Sequence, residues 1–421
     1  MIPLIAWRNV WRNPLRSGIV GLAIAIGLVS GVFMVSLQFG ILESRTRDII
    51  QTQISHIQLH HPQYEKGGET KFIMENGPQV FEALAKEPYV KSISGRILIP
   101  AMLESSKGNF GVELIGINPE EEAELTLLKE RMVAGDYFKE GRSVGIVVGR
   151  KLAEKIGVKI TDENGEDSYN FRRRLVFRFQ TASNEISSLR VKVVGVYKTA
   201  NSLLEEAQVF IRKQDVDHIL EIPGEIHEIA LITDDRKEFI EDKLSKVNAL
   251  PAIAGNEGVK VETWSDIAPD IQFFAETIAA SSRIVMFIIL LALAFGIINT
   301  MLMAVLERTR ELGMLMSVGM NKLKIFSMIM LETVFLTFVG APVGLLTGWG
   351  LITYFGEKGI DMGVFTEGSE QFGFSSIVYP ELPTSSYQEI IIMVILTALL
   401  SAIYPAYKAL QLNPSEAVRA I

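Results

Sequence analysis

The sequence predicts an α-helical membrane protein with four transmembrane helices and a large α+β domain inserted between helices 1 and 2. Hydrophobic residues make up 48% of the 421 residues, and charged residues make up only 21%. The apolar residues are concentrated in four runs that carry almost no charge, each close to the ~20 residues that a helix needs to cross a bilayer. We place the transmembrane helices at 17–42, 284–306, 325–355 and 390–407.

The charges of the short segments beside these helices predict their orientation, because Lys and Arg accumulate on the cytoplasmic side of short loops. Basic residues are frequent in 1–16, in the loop 307–324 and in the tail 408–421, whereas the loop 356–389 has Lys358 alone. We therefore expect a multi-pass protein of a bacterial inner membrane with both termini in the cytoplasm. The segment 43–283 would then lie outside, in the periplasm.

Amphipathic patterns throughout 43–283 predict a soluble α+β domain with two lobes. Period-two alternation indicates a half-buried strand, and apolar residues three and four positions apart indicate a helix. A strand–helix–strand order occurs twice, and we expect both copies to pack in one lobe, at 56–61, 79–86, 92–103 and at 228–233, 236–247, 259–263. A second lobe is predicted between them, at 144–148, 150–156, 175–179 and 189–197.

Several classes of chemistry are not supported by this composition. The net charge of −8 argues against nucleic-acid binding, and the absence of cysteine excludes thiolate metal sites and disulfides. His56, His60 and His61 are close in sequence, but consecutive strand residues face opposite sides, so we interpret them as surface histidines near a loop. With no catalytic motif and no phosphate-binding loop, we expect no catalytic residue, metal or bound cofactor in this chain.

The N-terminal segment 1–16 is predicted to form an interfacial helix. Trp7 and Trp11 are four residues apart, and Arg8, Arg12 and Arg16 repeat at the same spacing. On a helix this places an aromatic stripe beside a basic stripe, with the indoles at the lipid headgroups and the guanidinium groups toward anionic lipid. The alternative is a simple beginning of the first transmembrane helix.

The loop 307–324 is longer than a turn between two membrane helices requires, and its charges flank an apolar middle. Leu312, Leu315, Met316 and Gly319 fall at helical spacing, which predicts a short amphipathic helix. It is either a docking helix for a cytoplasmic partner or a solvated helix and turn. The pattern alone leaves both interpretations open.

Within the membrane helices, one ionisable residue and two groups of small residues are noteworthy. Glu332 is either functional, as intramembrane carboxylates usually are, or paired with Lys or Arg of the loop at the inner boundary. Small residues four apart favour close helix contact, and they occur at Gly27 and Gly31 and at Gly340, Gly344 and Gly348.

Three adaptable side chains near the outer end of the first transmembrane helix suggest a substrate cavity, namely Phe33, Met34 and Phe39. Met and aromatic side chains pack adaptably around acyl chains. Plain exposure to lipid is the alternative for each of them.

The segment 307–319 (ERTRELGMLMSVG) resembles the signature of ABC transporter permeases of the MacB and lipoprotein-releasing (LolCDE) type, also called FtsX-like permeases. The closing segments 404–409 (YPAYKA) and 413–417 (NPSEA) and the opening AWRN…RNPLR are similar to the same family. The segment 145–158 (GIVVGRKLAEKIGV) resembles its external domain. The resemblance extends over nearly the whole chain in the expected order.

This resemblance implies a permease that pairs with a second copy or a paralogue and relays ATP-driven motion to its external domain, which is called mechanotransmission. It implies that a cytoplasmic ATPase homodimer, holding ATP and Mg, docks on Glu307, Arg308, Arg310, Glu311, Leu312, Gly313, Leu315, Met316 and Gly319. We expect no ATPase fused ahead of the first transmembrane helix, which favours the split arrangement of lipoprotein release, with a lipoprotein or another amphiphile as substrate. An exporter with a periplasmic adaptor, acting on drugs or peptides, and a regulator of a cell-wall hydrolase are the alternatives.

The last residues are expected to form a short helix beside the membrane. Asn413 can cap it, with Pro414 at its first position and Glu416 at its third. A frayed tail is the alternative.

Overall fold

The computed structural model describes residues 2–64, 69–138, 144–161, 167–199, 201–233, 240–362 and 377–411. The predicted C-terminal helix at Asn413 lies outside these residues. The chain divides into two compact units, a helical unit formed by 1–43, 274–362 and 377–421, and a β-rich unit formed mainly by 44–273.

Helices in the described part of the chain range from one turn to nearly forty residues. In chain order they are α1 (Ile2–Arg12), α2 (Pro14–Ile49), α3 (Gly77–Ala85), α4 (Pro119–Leu125), α5 (Arg150–Lys155), α6 (Ser202–Ala207), α7 (Lys213–Val216), α8 (Ile240–Asn248), α9 (Trp264–Ile267), α10 (Pro269–Glu307), α11 (Thr309–Ser317), α12 (Lys322–Lys358) and α13 (Thr384–Leu410). A π-helical turn, Ile50–Ile54, continues α2.

The strands are β1 (Ile57–His60), β2 (Val90–Ser105), β3 (Gly108–Ile117), β4 (Met132–Gly135), β5 (Gly145–Gly149), β6 (Lys159–Thr161), β7 (Asp167–Tyr169), β8 (Leu175–Gln180), β9 (Ile186–Tyr197), β10 (Gln208–Arg212), β11 (Glu228–Thr233), β12 (Lys260–Thr263), β13 (Ile360–Asp361) and β14 (Ile377–Val378). All but the last pair fall, in chain order, between α2 and α10.

Four helices of the helical unit are long and apolar enough to cross a membrane, namely α2 with its π-helical extension, α10, α12 and α13. Each of the four predicted membrane helices is therefore observed as a helix of suitable length and hydropathy. Each helix extends beyond its apolar run, because intrahelical hydrogen bonding continues into the polar residues on either side.

Helix α2 makes close backbone contacts on one side with α12. A Cβ atom at Gly340 would lie 2.7 Å from the carbonyl oxygen of Gly21, and one at Gly344 would lie 2.8 Å from that of Ala25. Gly348 differs, because a Cβ there would meet only the Val32 side chain at 3.4 Å, an ordinary contact. Two of the three predicted glycines therefore allow the helices to approach.

Another face of α2 packs on α10. A Cβ at Gly27 would lie 3.2 Å from Leu293, and one at Gly31 would lie 3.3 Å from the sulfur of Met286. The neighbours here are side chains, so the contact is looser than the one with α12. Glycines of α12 on one side and of α2 on the other thus let α2 fit between two other membrane helices.

The β-rich unit has two lobes that share strand β2. The first lobe is a sheet in the order β12–β1–β11–β2, with each neighbouring pair antiparallel. Its apolar core includes Leu59, Val80, Leu231 and Val247, contributed by the sheet and by helices α3 and α8. Both predicted strand–helix–strand units contribute to this lobe, although the strand predicted at 92–103 continues into the second lobe.

The second lobe is a closed barrel of six strands, because β2–β3–β10–β5–β9–β8 returns to β2. Along β8 and β9 buried residues alternate with exposed ones, as expected when one face of each strand points into a barrel. The interior is filled by apolar side chains such as Ile99, Val148, Phe177 and Val209. Closure gives each of these six strands a neighbour on both sides, and β4 pairs with the end of β9 as an additional strand.

Arg96 lies on β2 where the strand passes from the first lobe to the second, and it is 4% exposed. Its guanidinium donates two hydrogen bonds to Glu122 of α4, at 2.7 and 3.1 Å, and one to Glu228 of β11, at 2.9 Å. Burial lowers the pKa of the Arg96 guanidinium, but the charges of Glu122 and Glu228 raise it more, so the group stays charged. This buried pairing connects the two lobes through polar contacts.

Candidate functional site

The N-terminal helix α1 is attached to the loop that joins the second and third membrane helices. Arg12 donates to both carboxylate oxygens of Glu311, with one bond of 2.8 Å. Arg16, in the first turn of α2, forms an ion pair with Glu307. The hydrogen bond and the charge of Arg12 hold the pKa of Glu311 below its usual range. The sequence interpretation directed these arginines toward lipid, and the structure gives two of them carboxylate partners instead.

Apolar and aromatic contacts hold α1 against the other helices. Ala6 and Val10 are buried in the core of the helical unit. Trp7 packs edge-to-face on Phe335 of α12, with ring centroids 5.5 Å apart, and on Trp11 at 5.9 Å. Both tryptophans remain 41% and 53% exposed, respectively. Helix α1 is therefore packed on one face and open on the other.

Glu332 has an arginine partner. Nη1 of Arg308 donates to Oε1 of Glu332 at 2.8 Å, and Nη2 of Arg308 donates to the carbonyl of Asn9 at 3.3 Å. Both charged side chains are almost completely shielded from solvent. The sequence left open whether Glu332 is functional or paired with a basic residue of the loop. The structure shows the contact that the pairing interpretation predicts, with Arg308.

Helix α11 has one buried face and one exposed face, and the predicted stripe of Leu312, Leu315, Met316 and Gly319 is divided between them. Leu312 and Gly313 are buried. Leu315, which the pattern placed on the same face as Leu312, is 38% exposed. With the partly buried Met316 also packed inward, the inner face is fixed by contacts with the rest of the helical unit.

The exposed face of α11 combines apolar side chains with one basic residue. Met314 is 48% exposed and Val318, just after the helix, is 89% exposed. Arg310 is exposed one turn before Met314. Residues four apart lie on one helix face, so Arg310, Met314 and Val318 form a single row beside Leu315. We call these four residues the outer face of α11.

Gly319 ends α11 through its backbone. Its φ is +97°, and no atom lies within 4 Å of a Cβ built on it. The amide of Gly319 donates to Met316, and that of Met320 donates to Leu315, which is the bonding pattern of a Schellman motif. The Gly319 of the predicted docking surface therefore serves as a helix terminator.

A groove of about 350 Å³ lies between α1, α11 and the inner ends of α10 and α12. Its walls include Asn9, Arg12, Glu311, Glu332 and Val318. The Arg12–Glu311 and Arg308–Glu332 pairs therefore line a space that opens beside the outer face of α11.

Phe33, Met34 and Phe39 do not share one cavity. Phe33 packs on Phe355 of α12, with ring centroids 5.9 Å apart. Met34 is 46% exposed, and Phe39 lines a groove of about 190 Å³ with residues of α10 and α13. The three positions point in different directions around α2, so the structure supports Phe39 alone as a lining residue.

The histidines are held by hydrogen bonds within the β-rich unit. His56 contacts Thr233, and His60 contacts Glu262 of the neighbouring strand β12. His60 is only 7% exposed, so the prediction that it lies on the surface is wrong. Within the residues that the structure describes, no three potential ligands come close enough to hold a metal ion.

A polar cavity of about 260 Å³ in the β-rich unit was not predicted. Its lining includes Tyr64, Arg96, Glu113, Glu228 and Glu262. These residues come from four strands and a loop that are far apart in sequence, and no local pattern connects them. Several of these residues bind one another, as Arg96 binds Glu228. The cavity therefore lies where the two lobes join, and part of its polar lining is already paired.

These features fit a multi-pass membrane protein with a separate β-rich domain. The chain has four helices suited to a membrane, a β-rich domain with its own core, and a short helix with an exposed apolar row in one loop. Ion pairs with α1, α2 and α12 surround that loop.

Comparison with known families specifies the class further. The MacB-like periplasmic core domain matches residues 17–239, and the FtsX-like permease C-terminal domain matches residues 283–414. The chain belongs to this family of ABC transporter permeases. The resemblance stated from the sequence motifs is confirmed.

Individual relatives are distant but similar over most of the chain. The ABC transporter permease YtrF of Bacillus subtilis is 23% identical, with 98% of this chain and 97% of the relative covered. The lipoprotein-releasing system transmembrane protein LolE of Haemophilus influenzae is 21% identical, with 98% and 97% covered. The macrolide export ATP-binding/permease protein MacB of Bdellovibrio bacteriovorus is 21% identical, and this chain covers 60% of its length.

Proposed function

We propose that this chain is a non-catalytic permease subunit of an ABC transporter. A separate cytoplasmic ATPase homodimer binds ATP and Mg, and its motion enters the permease at the outer face of α11. The permease works beside a second copy or a paralogue in the bacterial inner membrane. Both termini lie in the cytoplasm, and the β-rich domain between membrane helices 1 and 2 lies in the periplasm.

The outer face of α11 is the observation that supports this proposal most directly. An exposed apolar row on a polar loop has an unfavourable contact with water unless another surface covers it. A short helix with such a row typically binds a hydrophobic groove of a partner, and Arg310 at one end suits an acidic rim. Val318, at 89% exposure, is the side chain with most to gain from burial.

Release of lipoproteins from the inner membrane is the activity that we favour. The chain matches LolE over nearly the full length of both proteins. In the proposed cycle, ATP binding in the partner moves α11 and the membrane helices, and the β-rich domain moves an amphiphilic substrate outward.

Export of a drug or peptide is the second candidate. It is favoured by the MacB-like periplasmic core domain that matches residues 17–239. Such a permease would act with a periplasmic adaptor, and its substrate would not need an acyl anchor.

The docking assignment is tested by co-purification from the native host. The double variant Met314→Glu/Val318→Glu places two charges on the outer face of α11, and we expect the ATPase to be lost from the purified complex. Glu307 and Glu311 are unsuitable for this test because they bind Arg16 and Arg12 within the chain. The matched control is Leu203→Glu, an apolar residue with 63% exposure in α6.

Equal recovery of the ATPase with the double variant would remove the docking assignment. Mass spectrometry of the same unaltered complex distinguishes the two candidate activities. Acylated proteins that leave on addition of ATP support lipoprotein release, whereas a bound adaptor protein supports export.

A further inference from the structure

Two helix junctions lie opposite each other at the inner end of the helical unit. One is the break between α1 and α2, at Asn13, and the other is the break between α10 and α11, at Arg308. A hinge between two rigid segments is formed by a few residues at the ends of elements, which absorb the change in φ and ψ, and each break is such a position. Each junction has a charged residue on both of its sides.

The charges at the two junctions match in antiparallel order. Arg12 precedes the first break and binds Glu311, which follows the second. Arg16 follows the first break and binds Glu307, which precedes the second. The two arginines and the two glutamates are each spaced four residues apart in the sequence. We call these four residues the junction zipper.

A third contact adds to the junction zipper. Arg308, at the second break, binds Glu332 of α12 and the carbonyl of Asn9 in α1. Exposed ion pairs contribute little to stability one at a time, but several charges in a network with a bidentate Arg–carboxylate pair fix geometry. The contacts therefore determine orientation more than they add to the stability of the fold.

We propose that the junction zipper joins α1 and α11 into one lever, with Arg12 and Arg16 as positioning residues. The chain connects α11 directly only to α10 and α12. Through the zipper, a rotation of α11 also turns α1 and the beginning of α2, which leads through the first membrane helix to the β-rich domain. The transmission part of this inference rests on the proposed function, whereas the positioning part concerns this chain alone.

The positioning part is tested by electron paramagnetic resonance on the full chain in detergent. The chain has no cysteine, so Val318→Cys accepts a single nitroxide at a residue with 89% exposure. We expect Arg12→Glu/Arg16→Glu to sharpen the spectrum, since α11 gains freedom, and the fourfold swap with Glu307→Arg/Glu311→Arg to restore it. Lys322→Glu/Lys324→Glu makes the same charge change at exposed positions nearby and should leave the spectrum unaltered.

A spectrum that stays unchanged in the Arg12→Glu/Arg16→Glu variant overturns the zipper. If that variant does not fold, Arg12→Gln/Arg16→Gln removes the attraction without adding repulsion and is judged in the same way. A loss of order that the fourfold swap fails to restore also counts against the proposal, because a merely structural defect would not be rescued by exchanging the charges.

The transmission part is tested in the complex with the ATPase. A nitroxide at Leu4→Cys reports on α1 at a residue with 62% exposure. We expect a non-hydrolysable ATP analogue to change its spectrum in the intact chain, and this change to be lost in Arg12→Glu/Arg16→Glu although the ATPase still co-purifies. A change that persists in the variant overturns the lever.

The two arms separate the failure of this inference from that of the proposed function. If no ATPase co-purifies with the unaltered chain, the proposed function fails, and the label at Val318→Cys still decides whether the zipper positions α11.

Discussion

His227 shows how one residue can make the β-rich unit sensitive to pH. Its side chain is completely buried, and Nε2 donates to the carbonyl of Thr70 at 2.8 Å. Nδ1 has no partner among the described residues. Burial, with a smaller contribution from Lys213, lowers the pKa of His227 to about 4. The imidazole therefore stays neutral in the folded protein at pH values where an unfolded chain is already protonated.

The sign of the pH effect follows from this difference. Below pH ~6.5 the unfolded chain takes up a proton that the folded chain does not, so the free energy of unfolding falls as the pH decreases toward 4. The total loss is about 3 kcal/mol, and the full contribution is present above pH ~6.5. We expect the thermal midpoint of the protein to decrease by roughly 2–4 °C for each kcal/mol.

The comparison variant is His227→Gln, whose amide can donate to Thr70 but does not titrate. Thermal unfolding of the detergent-solubilised chain between pH 4.5 and 8 should show a smaller pH slope in this variant than in the parent. His218→Gln, at an exposed position, should retain the parental slope. Parallel slopes for all three proteins would show that His227 is not the source of the pH dependence of stability.

At the scale of elements, the contact between α2 and α12 predicts that alanine substitutions at Gly344 and Gly348 have different effects on stability. Gly344→Ala places a methyl group 2.8 Å from the carbonyl oxygen and 3.0 Å from the Cα of Ala25, so the helix backbones must separate. Overpacking of this kind costs about 1–3 kcal/mol. Gly348→Ala meets only a side chain at 3.4 Å, and Ala favours a helix over Gly, so stability should be unchanged or slightly raised.

Thermal midpoints of the two variants in one detergent test this difference. Both changes add one methyl group to the same helix, so each is a control for the other in hydrophobicity and helix propensity. Equal midpoints would mean that the backbones of α2 and α12 are not in contact at Gly344.

Elements with a strong local pattern were predicted from the sequence, and elements defined by partners were not. The strand predicted at 228–233 is observed as Glu228–Thr233, because its alternation and length are local properties. Strands β3 and β10 were missed. β10 has five residues and is almost entirely buried, and short buried strands carry no period that separates them from helix or loop. Its position is set by parallel pairing with β3.

The candidate site shows the same division. The helical character of 309–317 was predicted, but the sequence did not show which of its apolar residues point inward. Leu312, Leu315 and Met316 all fit the predicted stripe, yet Leu315 is exposed. Contacts with the other helices decide which residues point inward. The junction zipper did have a sequence signal, namely two arginines four apart and two glutamates four apart, but only the fold shows that the two sets meet.

At the scale of the whole molecule, strand β2 gives the β-rich unit its continuity. It pairs with β11 through its first half and with β3 through its second half. Arg96, between the two halves, bonds to residues on either side of the junction. A displacement of one lobe is therefore transmitted to the other through one strand and a buried ion network, which suits a domain that moves as a single body.

The orientation of the chain in the membrane is the last prediction. The absence of cysteine allows single reporters, with Ile186→Cys on the hairpin of β8 and β9 at 83% exposure and Leu4→Cys on α1, the helix that binds α11, at 62%. Because Lys and Arg accumulate around α1 and α11, we expect both helices to face the cytoplasm. In intact spheroplasts an impermeant maleimide should therefore label Ile186→Cys, and it should label Leu4→Cys only after the membrane is permeabilised. The reverse pattern would place α11 outside, where no ATP-hydrolysing partner could reach it, and would remove the basis of the proposed coupling.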